Sequence, residues 1–435
     1  MKKYYKLVKI ITSFMLTILV GIYGFVFLNK YIVGYSGDDK SNNELDGSVT
    51  FVSNRIDKSN ELNSLIKEFE KMHPKVKINL ELIGDVEEIL ERRAVAGELA
   101  DITLVPGAID TEEYNKYFLQ IDDLGFNDEN IYNYTTGKDN KLYTLSTSML
   151  WEGVIYNKEI FKDANIKEIP KTKKEFFEAC QKIKEIGVTP IALNYKQQWV
   201  MSMWSDSIPY LFDSNLEENT ITKSENIFDY ENGVYKSLQF IREIFKNKYC
   251  ENDLYNYDWQ QCKNDLINKR SAMIVWNSDF KYQLEDMGAY KEEFGIFPIP
   301  ESNIINIVGD YKFAISKNTK HPDISKEFLK FMFNDDRYAK AVNIMSSLKG
   351  SERNIEMLKE LETFNLPIQT QESVIKNKDN KELEIHNEYS NIKNDVGLNS
   401  DFVQKYVIAS DTKSIIEEAN KKCAESRTRI REHSQ

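Results

Sequence analysis

Five tryptophans, Trp151, Trp199, Trp204, Trp259 and Trp276, carry the clearest chemical signal in this 435-residue chain, and the chemistry is recognition rather than bond breaking. An indole buries about 150–250 Å² when fully covered, so laying a ligand ring over half of one removes about 100 Å² from water. At about 25 cal/mol per Å² that contributes about 2.5 kcal/mol. Two or three such platforms with hydrogen bonds reach the roughly 8 kcal/mol of a micromolar binder. Core packing is the competing role for each ring. Trp199 shares a helical face with Met203, as Val200 does with Trp204, so packing claims at least one of the pair. Trp259 reads as packing.

Polar candidates accompany the rings. Arg55 offers a fork of donors and Asp57 a two-oxygen acceptor, which suits vicinal hydroxyls or a local ion pair. Glu152 and Asn194 sit beside tryptophan-bearing segments, and Asp310 lies in the run Gly309-Asp310-Tyr311. Covalent chemistry finds little support. There is no G-x-S-x-G, P-loop or G-x-G-x-x-G motif. His73, His321, His386 and His433 lie far apart, so neither a catalytic triad nor a metal site is expected, and no cofactor. A pair of opposed carboxylates, as in a glycosidase, is not singled out among 69 acidic residues.

A length of 435 residues implies two compact lobes rather than one. The formal net charge is −12, and residues 1–45 carry six lysines against three acids, so the remainder is still more acidic. Such a body repels phosphate backbones, and no nucleic-acid partner is expected. Four histidines and four cysteines in 435 residues disfavour a metal-rich protein or a disulfide scaffold. Cys250 and Cys262 are close enough in sequence to bridge or to remain free.

Lys2, Lys3, Lys6 and Lys9 precede an uncharged run from Ile10 to Leu28. At about 1.5 Å per residue this helix would span roughly 28 Å, enough to cross a bilayer. Lysines on its N-terminal side keep that end cytoplasmic and place the rest outside. The run is long for a signal peptide, and Tyr31–Tyr35 makes a poor cleavage site, so an uncleaved anchor is expected over a cleaved signal. Residues 29–47 read as a linker, ending in the polar tether SGDDKSNNELDG.

The body begins with a β-branched run at Val49–Val52. Leu62, Leu65, Ile66, Phe69 and Met72 follow at helical spacing, and Val76, Ile78, Leu80 and Leu82 alternate as a strand. A second helix over about 85–96 and a strand at Ile102–Val105 complete a strand–helix repeat that implies a parallel sheet. Ligands bind beyond the carboxyl ends of such strands, here Ser53–Asp57 and Pro106–Asp110. Further on, Thr172 and Glu175 form a capping-box pair, and Ala272–Trp276 is an apolar strand. Residues 376–400 read as a surface loop and a solvated helix.

The order of these segments resembles the extracellular solute-binding proteins of family 1, the sugar-binding, maltose-binding-protein-like components of ABC importers. NELNSLIKEFEKMHPKVKINLELI and AGELADITLV match its start; Tyr156-Asn157-Lys158, Phe161, Pro170-Lys171-Thr172 and Glu175-Phe176 match its YNKxxFxxxxIxxxPKTxxEF segment. INKRSAMIVWNSDF, GDYKFAISKNTKHPDISKEFLKFMFND and KSIIEEANKKCAESRTRI follow in the family's order. The resemblance implies an α/β fold of two lobes (periplasmic-binding-protein type II), each a mainly parallel sheet flanked by helices, after an N-terminal transmembrane helix. It places residues 48–152 and 298–348 in the N-lobe, and 153–297 and 349–435 in the C-lobe. Crossings fall near Trp151–Val154, Ile296–Pro300 and 346–352.

The resemblance implies a cleft in which a sugar meets Arg55, Asp57, Trp151, Glu152, Asn194, Trp199, Trp204, Trp276 and Asp310. Asp101 is read as structural. The expected role is an extracellular receptor, monomeric and without catalysis, that captures a carbohydrate ligand and presents it to ABC permease subunits. A membrane-tethered sensor for a signalling partner and an extracellular glycan-active enzyme are the alternatives.

Overall fold

The computed structural model describes residues 44–84, 86–224, 226–229, 232–370 and 380–433. The Ile10–Leu28 anchor and most of the linker lie outside the described residues. Among those residues, no helix is long and apolar enough to cross a membrane. The chain divides into residues 1–46 and the body from Gly47 onward.

The body holds eleven strands among the described residues: β1 Gly47–Ser53, β2 Val76–Leu82, β3 Ile102–Leu104, β4 Thr144–Ser146, β5 Met149–Asn157, β6 Thr189–Ile191, β7 Ser271–Asn277, β8 Phe294–Phe297, β9 Ile305–Gly309, β10 Lys312–Ile315 and β11 Ile368–Thr370. They form two sheets, ordered β2-β1-β3-β10-β4 and β11-β9-β5-β7-β6, with β8 also pairing β5. Each sheet is the centre of one α/β lobe.

In the first lobe, the strand–helix repeat follows the hydrophobic pattern. β1 pairs in parallel with β2 and β3, and helix Ser59–Met72 buries Leu62, Leu65, Ile66 and Phe69. Met72, the last residue of that stripe, is exposed, because the helix ends beside His73-Pro74 and the core no longer reaches it. Phe51, Phe69, Phe313, Phe328 and Phe331 pack edge to face or tilted at 5.0–5.5 Å in the pairs that define this core. Such ring pairs contribute about 0.5–1.5 kcal/mol each beyond their area burial.

The expectation of mainly parallel sheets needs correction. β10 runs antiparallel to both β3 and β4, and β5 runs antiparallel to β7, β8 and β9. The physical cause is the chain's repeated passage between lobes: a strand arriving from the other lobe enters the sheet from the opposite end to its neighbours.

The passages also lie elsewhere than the sequence placed them. Strands change sheet between Ser146 and Met149 and between Gly309 and Lys312, rather than at Trp151–Val154 and Ile296–Pro300. The two passages touch, with Thr147 N–H donating to the Tyr311 carbonyl at 2.7 Å. After helix Arg337–Val342, which packs on Ser59–Met72, residues 343–351 lead to helix Glu352–Thr363, whose Met357 and Leu361 join the core around Trp151 and Phe280.

In the second lobe, helix Lys173–Glu185 starts with the expected capping box of Thr172 and Glu175. Helices Gln198–Asp206, Gly233–Lys246 and Ser400–Ile408 pack together beside the sheet. Residues 380–396 form a helix that is more than a solvated surface element, since Tyr389, Ile392 and Val396 are buried in the core. Cys250 and Cys262 are buried and not bridged.

Candidate functional site

The carboxyl ends of β6 and β7 bring three indoles together. Trp199, at the start of helix Gln198–Asp206, is 48% exposed and lies 4.7 Å from Trp259 and 5.0 Å from Trp276, centroid to centroid. Trp259 and Trp276 are 5.3 Å apart, and Phe280 backs Trp259 at 4.8 Å. All four contacts are edge to face. Rings locked edge to face lose little freedom when a ligand covers them, which favours a preformed platform.

Hydrogen bonds lead from this platform toward the other lobe. Trp259 Nε1–H donates to Gln283 Oε1 at 3.3 Å, and Gln283 Nε2 donates to Asp279 Oδ2 at 3.0 Å. Asp279 Oδ1 is buried without a partner. Burial, and then the nearby Asp310 carboxylate, push the Asp279 carboxyl up to about 7. Asp310 reaches solvent but is crowded by protein, and that desolvation raises its carboxyl too, against the pull of the Tyr311 N–H and Arg55.

From the first lobe, Arg55 Nη2 and Nε hold Asp57 in a two-pronged pair at 2.9 and 3.1 Å. Burial opposes ionisation of Asp57, but the Arg55 hydrogen bonds and charge outweigh it and keep its carboxyl below the usual range. Three residues on, Lys58 Nζ meets Asp286 Oδ2 of helix Phe280–Asp286 at 2.6 Å, and Asn343 Nδ2 donates to Asp286 Oδ1 at 3.2 Å. The loop after β1 therefore contacts the second lobe directly.

Of the sequence candidates, the structure gathers Trp199, Trp276, Arg55, Asp57 and Asp310 around the junction of the lobes. Trp151 and Trp204 are corrected to core residues. Trp151 is 0% exposed, packed on Phe364, and Trp204 is 2% exposed, stacked on Phe240. Burial leaves neither ring a face for a ligand. Asn194 is also fully buried, with its Nδ2 turned to the Ala192 carbonyl. Glu152 is nearly buried and accepts a short hydrogen bond from Ser207 Oγ; burial holds its carboxyl up at about 7. Sequence reasoning missed Trp259 as a platform member, and missed Asp279, Gln283, Lys58 and Asp286. The run Asn277-Ser278-Asp279 directly after Trp276 was the one local signal available. No group of His, Cys, Asp and Glu suited to a metal occurs among the described residues.

Two α/β lobes joined by touching passages, with indoles of the second lobe and polar residues of the first at the junction, define a two-lobe solute-binding protein. The profile of the bacterial extracellular solute-binding protein family matches residues 53–338, and the chain belongs to that family. It is 23% identical over 336 residues to the multiple sugar-binding protein of Streptococcus mutans, covering 72% of this chain and 78% of that one. It is 25% identical over 238 residues to a diacetylchitobiose-binding protein of Streptomyces coelicolor, covering 50% and 52%. Among solved structures, a manno-oligosaccharide-specific solute-binding protein of Bifidobacterium animalis subsp. lactis, in complex with mannotriose, superposes with a TM-score of 0.74 at 21% identity. The match covers 88% of this chain and 95% of that one. These likenesses establish the fold.

Proposed function

We propose that this chain is an extracellular carbohydrate receptor that captures an oligosaccharide between its lobes and hands it to an ABC transporter permease. The observation that carries the proposal is Trp199, half exposed and braced by Trp259 and Trp276, with the unpartnered acceptor Asp279 Oδ1 linked to Trp259 through Gln283. A sugar presents C–H faces to such rings and hydroxyl donors to such an acceptor. Trp199, Trp259 and Trp276 floor the ligand; Arg55, Asp57, Asp279, Gln283 and Asp310 meet its hydroxyls.

The lobes hinge at Ser146–Met149, Gly309–Lys312 and residues 343–351, and ligand contacts to both sides favour the closed state. The chain acts by binding, as a monomer, with no covalent step. Residues 10–28 tether it to the outer face of the cytoplasmic membrane. The sugar-related names of its relatives point the same way. Isothermal titration against a broad glycan panel tests the proposal: an oligosaccharide binding at micromolar Kd or tighter supports it, and binding of peptides or polyamines with no glycan binding overturns it.

A further inference from the structure

Helix Phe280–Asp286 of the second lobe meets the loop after β1 at both of its ends. Lys58 of that loop holds Asp286 at the C-terminal end. Arg55 of the same loop faces Asp279, the residue at the helix N-cap, whose side chain makes no cap hydrogen bond. Both contacts cross from one lobe to the other, so both belong to the closed arrangement. Asp279 Oδ2 accepts from Gln283 Nε2 at 3.0 Å, while Oδ1 is buried and meets no donor among the described residues.

The charges around Asp279 do not compensate it. From the loop after β1 comes Arg55, whose Nε and Nη2 are both committed to Asp57. From the passage between β9 and β10 comes the Asp310 carboxylate, a like charge. From helix Arg337–Val342, Tyr338 faces Arg55 and Asp310, and burial pushes its phenol up, so it stays neutral. On helix Trp259–Ile267, Trp259 brings an indole that bonds Gln283, and Lys263 faces Asp57, Arg55 and Asp286. A carboxylate with an unmet oxygen and a like-charged neighbour is relieved by taking up a proton. When the lobes part, Arg55 and its loop leave, and water reaches Asp279 in their place.

We infer that protonation of Asp279 is coupled to closure of the lobes, so that acid favours the closed, ligand-holding state. The inference rests on the receptor reading above and supplies its regulation. Burial, and then Asp310, hold the Asp279 carboxyl at about 7 in the closed chain, against an ordinary 3.8. The closed state therefore binds the proton more tightly than the open one. Its gain is complete below the ordinary value and is lost as pH rises through about 7.

The test reads the distance between the lobes without ligand. The full chain, in detergent, is spin-labelled through Lys67→Cys on helix Ser59–Met72 and Tyr290→Cys beyond helix Phe280–Asp286, both exposed positions. From pH 8 to pH 6 the closed-to-open ratio is expected to rise about 10-fold, the linkage of one such carboxyl. Asp279→Asn removes the response, and Asp310→Asn shifts its midpoint to lower pH. Glu152→Gln, which deletes another carboxyl held at about 7, keeps it. Equal ratios at both pH values, a response surviving in Asp279→Asn, or one lost in Glu152→Gln overturns the inference. Calorimetry with the glycan panel separates the two readings. Glycan binding with no pH response leaves the receptor standing and overturns the coupling; a pH response with no glycan binding leaves the coupling standing and overturns the receptor.

Discussion

Lys58 Nζ and Asp286 Oδ2, 2.6 Å apart, tie the loop after β1 to helix Phe280–Asp286 across the two lobes. Lys58 is almost fully buried by this contact, with 6% of its surface exposed. Its charge is therefore satisfied in the closed arrangement and rehydrated in an open one. Asp286→Asn removes the counter-charge and should favour opening rather than unfolding. The expected result is a larger radius of gyration in small-angle X-ray scattering of the ligand-free variant, with ligand affinity reduced roughly 10-fold, the effect of about 1.4 kcal/mol. An unchanged radius and unchanged affinity would show that the pair does not bias closure.

Trp199 and Trp204 lie five residues apart on one helix and should respond oppositely to truncation. Trp199→Ala removes an exposed platform and should weaken glycan binding by about 10–100-fold, on the scale of half an indole's burial, with little change in stability. Trp204→Ala removes a core ring and should cost about 3–5 kcal/mol of stability. Paired denaturant melts and titrations read both; a Trp204→Ala protein of full stability with lost binding would reverse these roles.

The legibility of the site in the sequence follows the same division. Strand–helix alternation over Val49–Val105, and the Thr172–Glu175 capping box, are local patterns, and both formed as expected. The Trp199/Met203 and Val200/Trp204 faces were also visible, but periodicity alone does not say which face meets the core. Packing of Ser400–Ile408 against Gln198–Asp206, two hundred residues away, decides it. Trp259 joins Trp199 and Trp276 only because helix Trp259–Ile267 packs on β7. Lys58 and Asp286 were unremarkable surface charges in the sequence, since an ion pair across 228 positions has no periodic signature. The hinge passages were misplaced because β9 is an apolar strand that the sequence could assign to either sheet.

Glu152 gives a pH dependence with a definite sign. Its carboxyl rises from the ordinary 4.5 to about 7 in the folded chain, burial being the main cause. The folded state therefore binds the proton more tightly than the unfolded one. The stabilisation is present below about pH 4.5 and is lost as pH rises through about 7. Glu152→Gln should flatten this segment of the stability–pH curve and be the more stable form at pH 8, by on the order of 2–3 kcal/mol. Parallel curves for the two proteins between pH 4 and 8 would contradict it.

Gly309 borders a passage with no room for a side chain. A Cβ there would meet Ser146 Oγ at 2.4 Å. Gly309→Ala should cost about 1–3 kcal/mol through overpacking. Gly125, whose Cβ would meet nothing within 4 Å but whose φ is +85°, serves as a comparison in which strain alone acts. Thermal melts of both variants measure the difference, and equal losses would remove the steric argument at the hinge.

A crystal structure of the body with the tightest-binding glycan of the panel is the most direct measurement. It should show the sugar between the lobes, a ring face on Trp199, and Lys58 still paired with Asp286. A glycan bound elsewhere, with Trp199 uncovered, would contradict the account.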